Sequence, residues 1–294
     1  MSALDKKKSI NGATAVVGVI GNPVSHSLSP IIHNSAFAAC GCNAVYVPFL
    51  VNDIEDAVAG VRALGIRGVS VTIPFKQDVM KHLDAIDAAA EAVGAVNTVV
   101  NDNGRLTGYN TDGYGALRAL KQKAAVENAS VLVLGTGGSA CGIAMTMLMT
   151  EKPVRLVVVG RTPEKSAAFA GMLTKRSGKP VEHCSFDGSD FSSRVHEADI
   201  IINTTPVGMH PEIDASPLSR DIIESRHTVF DIVYTPQYTK LLKYAREKRA
   251  AVVFGYEMLL HQAAVQFELW TKQAMPLGVA RKALTAALKR RTHV

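Results

Sequence analysis

The stretch that most restricts this chain is Val131-Leu132-Val133-Leu134 running into Gly135-Thr136-Gly137-Gly138-Ser139-Ala140. Four consecutive apolar residues read as a strand buried on both faces. The glycines permit a tight turn, and the apolar run from Cys141 to Thr150 reads as a buried helix. A strand, a glycine turn and a helix in this order bring a pyrophosphate against backbone N–H groups at the positive end of a helix. Ala140 stands where such a turn needs its third small residue. The motif is weak alone; its setting between strand and helix gives it weight.

A second apolar strand, residues 156–159, ends at Gly160-Arg161-Thr162-Pro163-Glu164-Lys165. A dinucleotide site for NAD presents an acid there for the ribose hydroxyls. Arg161, Thr162 and Lys165 instead suit a 2′-phosphate, which favours NADP. The plainer reading is a charged loop opening a helix, and Glu164 is the sole acid nearby. Further strands are expected at 181–186, 199–203, 228–232 and 251–254. The polar loop Asn203-Thr204-Thr205-Pro206-Val207-Gly208-Met209 follows the second of these, as expected beside a nucleotide.

Upstream, strand and helix also alternate. Strands are expected at 15–20, 44–51, 69–75, 95–100 and 105–110, with a hairpin turn at Asn101-Asp102-Asn103-Gly104. This is an α/β pattern with an antiparallel edge. Within it, Val69-Ser70-Val71-Thr72-Ile73-Pro74-Phe75-Lys76 reads as a buried strand, a proline stop and a lysine opening a helix over 77–92. Burial and a positive helix end both push a lysine's pKa down, which suits proton transfer; a solvated surface lysine is the alternative. Ser29 before Pro30 matches a helix N-cap, whereas Ser27 has no such structural reason. Two hydroxyls at a helix start also make a carboxylate cradle. Asn97, an amide among apolar neighbours, needs partners in backbone or ligand. Asp112 opens the next helix, as N-cap or as a functional acid at a domain junction. The wide apolar stripe at 256–271 reads as core, interrupted by Gln262 and Gln266. His26 and His33 read as packing or surface residues.

At 294 residues the chain suits two domains. A net charge of +6 is spread along the chain apart from the basic run Lys289-Arg290-Arg291, and few aromatics lie beside that run, which argues against a nucleic-acid partner. No apolar run approaches the ~18–20 residues of a membrane span. Residues 1–11 lack the apolar stretch of a secretory signal and read as a frayed tail. Four cysteines with no metal-ligand spacing, and histidines without HExxH spacing, point to reduced cytoplasmic thiols and no metal.

Taken together, these residues resemble the shikimate dehydrogenase family over nearly the whole chain. The motifs are Gly21-Asn22-Pro23 with His26-Ser27-Leu28-Ser29-Pro30, Val71-Thr72-Ile73-Pro74-Phe75-Lys76, Gly94-Ala95-Val96-Asn97-Thr98 and Gly108-Tyr109-Asn110-Thr111-Asp112-Gly113. Asp231-Ile232-Val233-Tyr234-Thr235-Pro236 and Gly255-Tyr256-Glu257-Met258-Leu259 through Gln262 complete the set. The resemblance implies a mostly parallel α/β substrate domain (1–112 with 256–294) and a Rossmann-like doubly wound NADP-binding domain (113–255), the C-terminal helices returning to the first. It implies a substrate cleft between the two and reversible NADPH-dependent reduction of 3-dehydroshikimate to shikimate, a step toward aromatic amino acids.

The resemblance assigns Ser27 and Ser29 to the substrate carboxylate with Tyr234 assisting, and Thr72, Asn97 and Gln262 to ring hydroxyls. Lys76 and Asp112 become the catalytic pair. The cofactor set becomes Gly135, Thr136, Gly137, Gly138, Ser139, Ala140, Arg161, Thr162, Lys165, Thr204, Met209, Ile232 and Gly255. One departure is Gly160, where the family commonly has Asn; the missing amide removes an adenosine-side contact. The expected partner is a small molecule, and the expected state a monomer or homodimer. The alternatives are a quinate/shikimate dehydrogenase using NAD or either cofactor, a folate-linked dehydrogenase of similar plan, which gives no reason for the two serines, and a non-catalytic nucleotide sensor, which gives none for Lys76 and Asp112.

Overall fold

The structure is a computed structural model and describes residues 10–291. Most of the tail expected at 1–11 therefore lies outside the described residues. The chain divides into two compact units, Met1–Thr111 with Gln262–Val294, and Asp112–His261.

The first unit carries β1 (Ala15–Gly21), α1 (Ser29–Cys40), β2 (Ala44–Leu50), α2 (Ile54–Ala63) and β3 (Gly68–Val71). A 3₁₀ turn at Asp78–His82, β4 (Ala85–Ile86), α3 (Ala88–Val93), β5 (Thr98–Asp102) and β6 (Arg105–Tyr109) follow. The sheet order is β2-β1-β3-β5-β6-β4. The expected antiparallel edge is wrong in position: β5, the one reversed strand, lies inside the sheet between β3 and β6. The edge is β4, parallel to β6. The hairpin turn at Asn103-Gly104 returns the chain after β5, and both residues take the positive φ such a turn requires. Asp53 caps α2 by accepting the Asp56 N–H at 3.0 Å, an interaction contributing about 1 kcal/mol.

The helix expected over 77–92 is not one helix. Two aspartates break it. Asp84 accepts the Leu106 N–H at 2.7 Å and pairs with Arg62, while its own N–H joins the Leu106 carbonyl. Asp87 caps α3 through the Ala89 N–H at 3.0 Å. Aspartates that bond nearby backbone compete with helix, and here they install a strand bridge instead.

The second unit carries α4 (Asp112–Leu120), β7 (Ser130–Leu134), α5 (Gly138–Thr150), β8 (Arg155–Gly160), α6 (Pro163–Ser177) and β9 (Glu182–Ser185). Then come α7 (Phe191–Glu197), β10 (Ile200–Asn203), β11 (Thr228–Asp231), α8 (Lys240–Glu247) and β12 (Ala251–Phe254). Its sheet, β12-β11-β10-β7-β8-β9, is wholly parallel and reverses direction of winding between β7 and β10. This is the doubly wound Rossmann order, with its switch point beside the glycine turn. Leu132, Leu134, Val157, Val159 and Ile201 fill its core, each fully buried side chain contributing about 1.5–3 kcal/mol.

The division between units falls inside α9 (Gly255–Thr271), and α10 (Leu277–Arg291) packs on α1 in the first unit, as the sequence suggests. The C-terminal half of α9 closes an aromatic core there. His33 stacks on Tyr46 at 4.5 Å, with Phe37, Phe267 and Trp270 around them. His33 is thus a packing residue, and burial drives its pKa down to about 3, the Gln266 side chain pulling weakly the other way.

Candidate active site

In the first unit, the candidate residues gather where β1 and β3 end. Thr72 N–H donates to the Ile20 carbonyl at 3.0 Å and Asn22 N–H to the Ile73 carbonyl at 2.9 Å. The two segments leaving the sheet therefore stay joined beyond the last strand residues. One carries Ser27 and Ser29, the other Thr72 and Lys76. Carboxyl ends of parallel strands are where α/β sheets bind ligands.

Two local readings need correction. The N-cap of α1 is Leu28, and Ser29 is the first helical residue, with no side-chain cap bond. Ser27 does have a structural role, because its Oγ accepts the Ser29 N–H at 3.3 Å. Ser29 is buried and Ser27 half-buried, so the pair is held by the turn that starts the helix. Likewise Lys76 does not open a helix: the strand stops at Val71, and the following turn begins at Asp78 and is 3₁₀. The macrodipole argument for Lys76 falls away. Its position is fixed through backbone instead, its carbonyl accepting the Val96 N–H at 2.8 Å.

That bond sets Lys76 beside the segment bearing Asn97. Asn97 lies one residue before β5 rather than within a strand, and it is buried. Its Oδ1 accepts the Thr111 N–H and the Thr98 hydroxyl, both at 2.8 Å, and its Nδ2 donates to Thr111 Oγ1 at 3.0 Å. Thr111 Oγ1 in turn lies 3.4 Å from Gln262 Oε1. Asn97 and Gln262 are therefore brought together, through Thr111. Sequence reasoning missed Thr111 and Thr98; the available signal was a hydroxyl on either side of a buried amide. Asp112 and Tyr234 belong to the second unit. Tyr234 is half-buried in the segment after β11.

In the second unit, Gly135 has φ +112°, and a Cβ there would stand 2.6 Å from Thr204 Oγ1. Thr204 holds that approach by giving its hydroxyl and its N–H to the Leu134 carbonyl, at 2.6 and 2.9 Å. Gly137 is the extended N-cap of α5, and a Cβ placed on it or on Gly138 would meet no protein atom within 4 Å. Thr136 and Ser139 flank this open bowl, half-buried, and Ala140 is buried beneath it. A bowl bordered by backbone at the start of a 13-residue helix fits a pyrophosphate. Arg161, Thr162 and Lys165 are exposed at the end of β8, and Thr162 also caps α6 by accepting the Lys165 N–H. A Cβ at Gly160 would meet Ser166 at 3.0 Å, so the first turn of α6 packs directly on this residue. Met209 is exposed, Ile232 half-buried, and Gly255 sits against the Ile232 carbonyl.

Beneath the loops after β10 and β11 lies Asp231, fully buried, to which the sequence alone assigns no role. It accepts from Thr239 Oγ1 at 2.6 Å, Asn203 Nδ2 at 2.9 Å and the Val233 N–H at 3.1 Å. Burial raises its pKa to about 6 against the pull of those three donors.

Three family models match in succession: the shikimate dehydrogenase substrate binding domain over residues 19–99, shikimate / quinate 5-dehydrogenase over 118–234, and the shikimate 5′-dehydrogenase C-terminal domain over 255–285. The shikimate dehydrogenase (NADP(+)) of Methanothermobacter thermautotrophicus is 43% identical over 96% of this chain and 99% of its own. The chain belongs to the shikimate dehydrogenase family. A crystal structure of a shikimate dehydrogenase in complex with NADP+ superposes with TM-score 0.89 at 37% identity, covering 95% of this chain and 98% of that one. The Listeria monocytogenes shikimate 5-dehydrogenase, in complex with shikimate and NAD, does so with TM-score 0.88 at 36% identity, covering 94% and 98%.

Proposed function

We propose that this shikimate dehydrogenase family member catalyses reversible NADPH-dependent reduction of 3-dehydroshikimate to shikimate. The observation that carries the reading is the buried Asn97–Thr111–Gln262 cluster, one backbone hydrogen bond from Lys76. Clustered amides suit a ring bearing several hydroxyls, and a lysine beside them suits a carbonyl oxygen that must gain a proton. NADPH, when bound, supplies hydride. The chain's own residues do the rest. Ser27 and Ser29 hold the substrate carboxylate with Tyr234, while Thr72, Asn97 and Gln262 hold the hydroxyls and so fix which face of the ring is presented. Lys76 Nζ polarises the ketone oxygen and takes part in proton transfer there, with Asp112 as its acidic partner in the catalytic pair.

For the cofactor, Gly135 through Ala140 form the pyrophosphate turn, and Arg161, Thr162 and Lys165 receive the 2′-phosphate. Thr204, Met209, Ile232 and Gly255 line the remainder. Tight packing of α6 on Gly160 leaves the phosphate-binding task to Arg161 and its neighbours. The absence of an acid at the end of β8 supports NADP over NAD and shikimate over an NAD-linked quinate activity. A cytoplasmic setting and small-molecule partners, without nucleic acid, complete the reading; four free cysteines and a dispersed charge support it. The protein acts as a monomer or homodimer. The test is Lys76→Ala. Its kcat should fall about 10²–10⁴-fold with KM for shikimate within a few fold; a variant with near-normal kcat would remove Lys76 from the chemistry.

A further inference from the structure

A line of buried hydrogen bonds runs within the first unit to Asn97. Tyr46, on β2, donates its hydroxyl to Ser70 Oγ at 2.7 Å, and Ser70 donates to Gln266 Oε1 at 2.9 Å. Gln266 Nε2 donates to Thr98 Oγ1 at 2.8 Å and to the Asn97 carbonyl at 3.3 Å. Thr98 passes its hydrogen to Asn97 Oδ1 at 2.8 Å. All five residues are buried. Each hydroxyl has a single hydrogen, so every link fixes the sense of the next, and donors point from Tyr46 toward Ser70 and from Gln266 toward Asn97.

An asparagine amide can present either oxygen or nitrogen to a ligand, and only its other partners decide which. At Asn97 the oxygen is committed to the Thr98 hydroxyl and the Thr111 N–H, with the Thr111 hydroxyl also within 3.2 Å, and one of the two amide hydrogens goes to Thr111 Oγ1. A core could close this space with apolar residues at less desolvation cost than five polar side chains. The polar line therefore calls for a reason beyond packing. We propose that Ser70, Gln266 and Thr98 are positioning residues that lock the Asn97 amide in one orientation, so that it meets a substrate hydroxyl as an N–H donor. This rests on the shikimate reading above. Gln266 lies one helical turn beyond Gln262 on α9, which couples the same helix to the site twice.

A double-mutant cycle tests it. Thr98→Val deletes the hydroxyl at nearly constant volume, and Asn97→Ala deletes its target. Thr98→Val should lower kcat/KM for shikimate about tenfold with KM for NADP unchanged, and Thr98→Ser should restore it. In the Asn97→Ala background Thr98→Val should add less than about twofold. Gln266→Met, run in the same cycle, should behave alike and serves if Thr98→Val fails to fold. Losses that multiply, or a Thr98→Val enzyme with unchanged kcat/KM, would overturn the proposal. A wild-type protein inactive on shikimate would remove the functional reading itself, a separate outcome.

Discussion

Arg161 is exposed just past the end of β8, where Glu164, three residues on, is the nearest acid in sequence. Arg161→Ala should raise KM for NADP about tenfold or more and leave KM for NAD within twofold, read by steady-state kinetics with each cofactor. Asp231 behaves differently. Its folded pKa, about 6, lies above the ordinary carboxylate value, so the native state holds its proton more tightly than the unfolded chain. Its contribution favours folding at low pH and is lost as pH rises from the ordinary carboxylate value through about 6. Asp231→Asn keeps an oxygen for Asn203 and Val233 and gives an N–H to Thr239. The variant should be at least as stable as wild type at neutral pH, by thermal melting; clear destabilisation would show that the ionised carboxylate itself is needed. At this scale the sequence singles out residues of rare chemistry, Lys76, Asn97 and Arg161; the structure shows Asn97 buried among donors and gives Lys76 no helix to open. It was not readable for Ser29, since Leu28 takes the cap position, nor for Asp231, which looks like any strand-end acid until its three donors are seen.

Elements follow from the same residues, and the glycine turn is the sharpest case. Gly135 and Gly137 stand two residues apart but under opposite constraints. Gly135 has a positive φ and faces Thr204, so Gly135→Ala should lower the melting temperature. Gly137 is extended with open space before it, so Gly137→Ala should melt like wild type yet weaken NADP binding about tenfold or more. Equal NADP affinity in Gly137→Ala would mean the bowl is not the pyrophosphate site. The parallel strands were legible because buried apolar runs between glycine and proline breaks have few other solutions. The segment after Lys76 was not. Apolar spacing at Val79, Met80, Leu83 and Ile86 also fits a 3₁₀ turn followed by a strand bridge, and the choice is made by Asp84 and Asp87 bonding to backbone. Position in a sheet is equally hidden: the β5–β6 hairpin reads as the sheet's antiparallel edge, but β4 pairs outside it, parallel to β6.

Across the whole molecule, burial tunes titrating groups in both units: it lowers His33 in the first, and in the second it lowers His227 and raises Asp231. His33, in the first, has a folded pKa near 3, below its unfolded value. Its contribution is complete above the ordinary histidine pKa and is lost as pH falls from there toward 3. Acidification from about pH 7.5 to about pH 5 should cost the first unit on the order of 2 kcal/mol, while in the second unit Asp231 and His227 push in opposite directions. Trp270, the one tryptophan, is buried in the first unit beside His33, so fluorescence reports that unit. Its unfolding midpoint should fall on acidification, and His33→Phe should flatten the dependence; an unchanged slope would place the pH response elsewhere. The plan of two α/β units was legible from alternation of strand and helix, and family membership joins them into one enzyme. Everything proposed for the site rests on oxidation of shikimate with NADP. Initial rates with shikimate and with quinate, each against NADP and NAD, measure it directly. The highest kcat/KM is expected for shikimate with NADP, whereas no turnover of that pair, or faster turnover of quinate with NAD, would overturn the assignment.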